Sequence, residues 1–319
     1  MLGTGLDYDP GRAAGAIDLV TGQTILAAFE LPWDGSGGGD TPAVYAAASS
    51  MAQGWTGAAL YVDQGDAQLL PQGSTGRSRS VIGEAVNALP PASPLTFDRT
   101  NSVIVELLAD EMHLLDATTR QLAMGANRAL LGSELLQYAR AVPLGGRRWR
   151  LEGFLRGQAG TESAIASHLA GDSFCLLDDT LSAIDGATIG QNSAVKIVAI
   201  GLGDSDPVIA EISCRGLSQR PLFPVHPRRN SNPDGSLTLR WTRRARGAWN
   251  WLDGVDTPLH EQIESYEISV GGDEAPIAKW ITYASELTIP AAQVAGLHNS
   301  SSGAPITVRQ RGTYAMNSP

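Results

Sequence analysis

Apolar residues recur at every second position through much of the chain, which is the period of a half-buried strand. Around residue 150, Trp149, Leu151 and Gly153 fall on one side and Arg150, Glu152 and Phe154 on the other. The period then changes. Gly157 and Gly160 supply the freedom for a turn, Thr161 is placed to cap a helix, and Glu162 sits where a helix dipole favours an acid. Ile165 and Leu169, four apart, give that short helix one apolar face, and Gly171 suits its C-terminal cap. Phe174-Cys175-Leu176-Leu177 follows as a buried strand. The pattern predicts one compact strand, turn, helix and strand unit.

Upstream, Thr24 to Leu31 is a predicted strand ended by Pro32, and Asp34 to Asp40 is a glycine-rich loop. Thr41 and Pro42 then look like the cap and first position of a helix running through Val44 to Ala48 as far as Gln53. Thr56 to Val62 reads as a strand, Pro71 to Arg79 as a flexible basic loop, and Leu89 to Pro94 as an extended connector. Ser102 to Leu107 is a strand. Leu122 to Leu131 and Leu135 to Val142 read as strands or hairpins, although Ala129 to Ala139 reads equally well as a helix.

Downstream, Val195 to Gly201 and Val208 to Cys214 form a hairpin across Gly203 to Pro207. Pro221, Pro224 and Pro227 then mark a boundary, so the expected division is 1–217 and 221–319. In the second part Leu237, Leu239 and Trp241 alternate with polar residues, as do Tyr266, Ile268 and Val270. Leu287 to Ile289 and Ile306 to Val308 supply two more strands. Short strands over about 100 residues predict an immunoglobulin-like sandwich, and the strand-borne Trp241 after a proline-rich start resembles a fibronectin type III module. The segment after Gly312 is too short and polar for a convincing last strand, which leaves the sandwich either truncated or completed by a neighbour.

Composition narrows the function classes. The 319 residues carry a net charge of −10, with a pI near 4.9, which argues against a protein that clamps nucleic-acid phosphates. Residues 221–319 hold 9 Lys+Arg against 9 Asp+Glu, so the whole excess of acid lies before them. No stretch approaches the ~20 apolar residues that cross a bilayer, and the start at Met1 lacks the pattern of a signal peptide. The expectation is a soluble chain made in a cytoplasm. Cys175 and Cys214 sit in apolar runs, as unreactive thiols do, although they could also pair. Arginine outnumbers lysine 21 to 2, which suits planar contacts at interfaces, although genome composition can cause the same bias.

Candidate chemistry is thin. His260-Glu261-x-x-Glu264 lacks the second histidine of a zinc-protease helix and reads as the approach to a strand. Gly201 to Asp206 has no following helix or bidentate glutamate, so a turn is preferred over a calcium loop. Asp178-Asp179 is a carboxylate pair best read as a solvated turn. His113, His168, His226, His260 and His298 are scattered without metal-ligand spacing. Trp249 and Trp251 beside Arg243, Arg244 and Arg246 are what a sugar-binding face or protein hot spot would use, and equally what a loop folded over a sandwich edge would show. No catalytic, cofactor-binding or metal residues are assigned.

The run Arg156-Gly157-x-x-Gly160-Thr161-Glu162, followed by His168-x-Ala170-Gly171-Asp172 and Leu176-Leu177-Asp178, resembles a known family. It is similar to the C-terminal part of the tail-tip or baseplate hub protein of long-tailed bacteriophages and gene transfer agents, the host-specificity or phage tail protein family. Similarity extends to Gly54-Trp55-x-Gly57-Ala58-Ala59-Leu60-Tyr61, Gly125-Ala126-Asn127-x-Ala129-Leu130, Pro221-Leu222-x-Pro224-Val225-His226 and Trp241-Thr242-Arg243-Arg244. It runs from about Ala27 to near the end. Members are usually much longer, so the upper hub is either encoded separately or cut away here.

The resemblance implies a mainly β hub region with a few short helices over 1–217, followed by a fibronectin type III-like domain over 221–319. It implies a virion structural protein, not an enzyme, without cofactors, assembled in the bacterial cytoplasm into a homotrimeric ring at the end of the tail tube. Its expected roles are host attachment and DNA ejection. Implied partners are the distal tail protein, other hub and baseplate proteins, the tape-measure protein, tail fibres and host surface polysaccharide, with no sequence-specific nucleic acid and no membrane span. The acid of residues 1–220 would line the channel and repel DNA phosphates. Two other readings are a carbohydrate-binding module acting through Trp249 and Trp251, and a glycan-degrading enzyme using acids such as Asp178.

Overall fold

The computed structural model describes residues 21–65, 68–190, 194–247, 257–272, 274–300 and 303–315. Its strands arise where side chains of alternating character can bury one face, and they assemble into three units.

The first unit starts with β1 (Ile25–Glu30), β2 (Val44–Ser49), β3 (Ala58–Asp63) and β4 (Leu69–Ser74). The chain then leaves to build the second unit from β5 (Ile82–Ala85), β6 (Asp98–Leu107), the short helix α1 (Thr119–Ala123), β7 (Arg128–Leu131), β8 (Glu134–Gly145), β9 (Arg148–Leu155) and β10 (Ser173–Leu176). It returns to the first through β11 (Ser182–Ile184), α2 (Gly186–Ile189), β12 (Ala194–Gly201) and β13 (Val208–Ser213). The first unit is therefore a sandwich of two sheets, ordered β1-β2-β11 and β13-β12-β3-β4, packed around Val44, Ala46, Leu60, Val62 and Ile197.

The second unit is a closed six-stranded barrel in the order β10-β5-β6-β9-β8-β7. Val105, Leu107, Leu131, Leu136, Tyr138, Leu151, Phe154 and Phe174 fill it, so it is a packed core and not a pore. Ala47, Ile82 and Cys175 join barrel to sandwich.

Four expectations are corrected. The helix expected over Thr41 to Gln53 is strand β2. Ala47 packs toward the barrel while Ala46 and Ala48 face the sandwich core, so both faces are buried and only small residues fit. A run of alanines reads as helix from propensity alone, and tertiary packing overrides it. The helix expected after Gly157 is two separate 3-10 turns, Gln158–Gly160 and Glu162–Ala164. Gly157 and Ala159 adopt left-handed conformations that break any α-helix, and Leu169, expected on its buried face, is 67% exposed. β9 and β10 form no unit of their own, because β6 and β5 lie between them in the barrel. Part of the expected loop over Pro71 to Arg79 is strand β4, paired to β3 across a bulge at Leu60 and Tyr61. The ambiguous stretch around Ala129 resolves into the β7–β8 hairpin, turning at Gly132 and Ser133.

The third unit holds β14 (Val225–Ser231), β15 (Leu237–Thr242), β16 (Tyr266–Gly271), β17 (Pro276–Thr282), β18 (Glu286–Ile289), α3 (Ala291–Ser300) and β19 (Ile306–Gln310). Sheets β14-β15-β18 and β17-β16-β19 enclose Leu239, Trp241, Tyr266, Ile268 and Ile289, with the Trp241 and Tyr266 rings edge to face at 5.1 Å. This is a small two-sheet β-sandwich with three strands in each sheet. β14, β17 and α3 were not anticipated. β14 is a polar edge strand containing Pro227, so it shows no alternation.

Candidate functional site at the junction of three units

The run from Arg156 to Asp172 crosses one mouth of the barrel, where β9 ends and β8 and β6 begin. Arg156 is 1% exposed, and a guanidinium can be held there only if its donors find acceptors. Its Nε and Nη2 donate to the two carboxylate oxygens of Glu134, each at 2.9 Å, and its Nη1 donates to the Pro90 carbonyl at 2.9 Å. Asp98 lies 3.4 Å from Nη1. The Gly157 N–H donates to Glu134 Oε1 at 2.7 Å. Together these form a planar fork held on both sides.

His168 continues the cluster. Its Nε2 is 2.6 Å from Glu134 Oε2 and its Nδ1 is 2.9 Å from Asp172 Oδ2. Both ring nitrogens face carboxylate oxygens, which only accept, so the geometry calls for a doubly protonated imidazolium. Burial by itself would lower its pKa, but the bonds to Glu134 and Asp172 outweigh that and raise it. Burial would likewise raise the pKa of Glu134, yet His168 and Arg156 hold it below the usual range. A raised histidine pKa adds stability that is full below the unfolded value and is lost as pH rises through the folded one. His168→Gln should therefore remove most of the decline in denaturant midpoint that the unaltered chain shows from neutral to alkaline pH. An equal decline in both proteins would refute the charged assignment.

The same loop meets the other units. Gly160 has φ +94°, and a Cβ there would lie 2.4 Å from Leu222 Cδ2, so only glycine lets the loop touch the proline-rich connector. Glu162 pairs with Arg244. Three separated stretches that carry the family resemblance, at 156–162, 221–226 and 241–244, therefore converge.

The connector is clamped as well. Glu30 accepts the N–H groups of Arg215 and Leu217, and Ser218 Oγ donates to the Thr41 carbonyl at 2.9 Å. Arg246, 4% exposed, pins the third unit. It donates from Nε to Glu261 at 2.7 Å, from Nη1 to the carbonyls of Gly39 and Ser218, and from Nη2 to that of His260. Its guanidinium also lies 5.2 Å from the Trp33 ring and 5.5 Å from that of Tyr314. A cleft of about 700 Å³ remains between the units, lined by Arg220, Arg243, Arg244, Trp33, Leu95 and Leu222 among others.

The remaining sequence candidates fall elsewhere. Asp178 accepts from the Thr180 N–H and hydroxyl, closing a turn. Asp204, in the former calcium-loop candidate, accepts from the N–H groups of Thr24 and Gly201 and braces two segments. Glu261 is no surface residue, because it is buried against Arg246. Cys175 and Cys214 are free thiols, their pKa values pushed by burial up to about 12 and about 11. Trp249 and Trp251 lie outside the described residues. Among the described residues, no three His, Cys, Asp or Glu side chains are grouped to hold a metal, and no helix is long and apolar enough to cross a membrane.

Reasoning from sequence passed over Glu134 and Asp98, and it grouped Arg246 with Trp249 and Trp251 and not with Glu261. Glu134 left a signal, a single acid between Leu130-Leu131 and Leu135-Leu136 in a buried hairpin. The pairing of Arg246 with Glu261 left none, since fifteen residues separate them.

Comparison with curated proteins returned no match. Residues 80–175 match the family model described as Rcc01698-like, C-terminal, a stretch that coincides with the barrel from Ile82 to Leu176 and carries Glu134, Arg156, His168 and Asp172.

Proposed function

We propose that this chain is a structural component of the tail-tip or baseplate hub of a bacteriophage or phage-like particle, such as a gene transfer agent. It forms part of a ring at the end of the tail tube, as a homotrimer. There it links the tube to the parts that attach to the host and guides DNA delivery. One observation carries the reading. The residues behind the family resemblance are spent on internal fastenings, Arg156 on Glu134, Gly160 on Leu222 and Glu162 on Arg244, and are not presented to a substrate. Such use suits a protein whose task is to hold three units in fixed relation under load. The family match over the barrel supports the same origin.

Light scattering on the purified chain, alone and mixed with the proteins encoded beside it, provides the test. A trimer, or a trimer that appears only with a neighbour, is expected. A chain that stays monomeric with every neighbour, and that antibodies do not find at the tail end of purified particles, would overturn the proposal.

A further inference from the structure

We propose that the turn between β12 and β13 of one copy of this chain docks into the arginine-lined cleft of the next copy, so that copies associate head to tail. This contact presupposes the trimeric reading above and gives it its surfaces.

Among the described residues, five arginines line the cleft, Arg156, Arg220, Arg243, Arg244 and Arg246, against the single acid Glu162. In a chain of net charge −10 that is a local reversal of sign. Arg156, Arg244 and Arg246 have acids of their own in Glu134, Glu162 and Glu261. Arg220 has none. Its guanidinium makes no hydrogen bond or ion pair among the described residues, and none of its nitrogens is sealed from solvent. Glu30 attracts it, but the two oxygens of that carboxylate accept the N–H groups of Arg215 and Leu217. Arg220 also borders a second cavity, of about 370 Å³, so its charge can be approached from either side. The walls around it are apolar, with Leu222, Phe223 and Val225 only partly buried and Leu95 69% exposed. The cleft therefore calls for a carboxylate accompanied by an apolar side chain.

The β12–β13 turn carries that combination. Leu202 is 87% exposed, more than any other large apolar residue described. Asp206, four residues on, is exposed and bonds among the described residues to the Ser205 hydroxyl alone, at 3.2 Å. From Gly201 to Pro207 the turn has two acids and no base. Its shape is already fixed, because Asp204 accepts the N–H groups of Gly201 at 2.7 Å and Thr24 at 2.6 Å. A fixed segment loses little freedom on docking.

Turn and cleft lie at opposite ends of the first unit. β13, six residues or ~20 Å long, separates the turn before its start from Arg215 and Arg220 beyond its end. β1 spans the same gap, since Thr24 just before it is bonded to Asp204, and Glu30 at its end is bonded to Arg215 and Leu217. A chain therefore cannot fill its own cleft with this turn. Two different patches at opposite ends make a heterologous contact, which closes into a ring when the rotation between copies allows it.

Light scattering on the full chain over a range of concentrations, with the neighbouring proteins added if the trimer needs them, tests this. Leu202→Ser, Asp206→Arg and Arg220→Gln should each raise the concentration at which the trimer forms about tenfold or more. Each should shift the denaturant midpoint of the dissociated chain by little, because none of these side chains bonds to another element. Reversing both charges, Asp206→Arg with Arg220→Glu, should restore association toward that of the unaltered chain. A mixture of Asp206→Cys chains with Arg220→Cys chains should form a disulfide-linked dimer that neither variant forms alone. A trimer that survives all three single changes, with no crosslink in the mixture, overturns the proposal and leaves the trimeric reading standing. Loss of a neighbour's binding while the trimer stays intact would give the cleft to that neighbour and overturn the proposal equally. If the unaltered chain forms no trimer with any neighbour, the reading and the proposal fall together.

Discussion

Replacing Arg156 by methionine is expected to lower the unfolding free energy by about 3–5 kcal/mol, the usual cost of breaking a buried ion pair from one side. The size follows from what is left behind. Glu134 is 0% exposed and would lose two hydrogen bonds, Asp98 would lose its nearest cation, and the Pro90 carbonyl would lose a donor. Methionine fills the volume, so the loss reports charge and hydrogen bonding more than a cavity. Lysine should recover only part, because one ammonium cannot reproduce a fork that grips both carboxylate oxygens. Adding Glu134→Leu to the methionine variant should return some of the stability, since removing both members of a buried pair costs less than orphaning one. The measurement is the denaturant midpoint at unchanged slope. A loss below about 1 kcal/mol would mean that water reaches the cluster, as at a surface pair.

Arg246→Met should have an effect of similar size, about 3–5 kcal/mol, but on docking more than on folding of any one unit. Arg246 touches each side of the joint at once, through Gly39 and Trp33 of the first unit, Ser218 of the connector, and Glu261 and His260 at the approach to the third. Its loss leaves Glu261 buried, with the Thr313 N–H the one donor still bonded to its carboxylate among the described residues. The third unit keeps its own core around Trp241 and Tyr266. The expected result is a single cooperative unfolding transition splitting into two, together with faster proteolysis within residues 215–224. An unsplit transition with unchanged proteolysis would show that the units are held by something other than this arginine.

The two variants separate parts of the molecule that were unequally visible beforehand. Strands such as β3 and β6 were legible because one face is buried and the other is partly exposed, a pattern each strand carries within itself. β2 was not, because burial on both faces removes the alternation and leaves only alanine's preference for helix. β14 was hidden for the opposite reason, since neither of its faces is buried deeply enough to demand apolar residues.

The candidate site was legible as a motif and not as a mechanism. Arg156, Gly160 and Glu162 stood out, and their neighbourhood was read as a turn leading into a capped helix. Thr161 instead accepts the Leu135 N–H at 3.0 Å and donates to the Gln158 carbonyl at 2.8 Å, tying two elements together. Glycine at 157 and 160 was assigned correctly to turning. The further reason at 160, the approach of Leu222, depends on a residue from another unit.

By itself the sequence determined the mainly β class, most strand positions and the hairpin at Gly203, because side-chain period and turn chemistry are local properties. The tertiary structure alone decided that a barrel is inserted within a sandwich, that Arg156 can be buried, and that the third unit is clamped and not tethered. The physical reason is distance along the chain. A buried guanidinium is tolerable only beside its acceptors, and those of Arg156 come from 22 and 58 residues away.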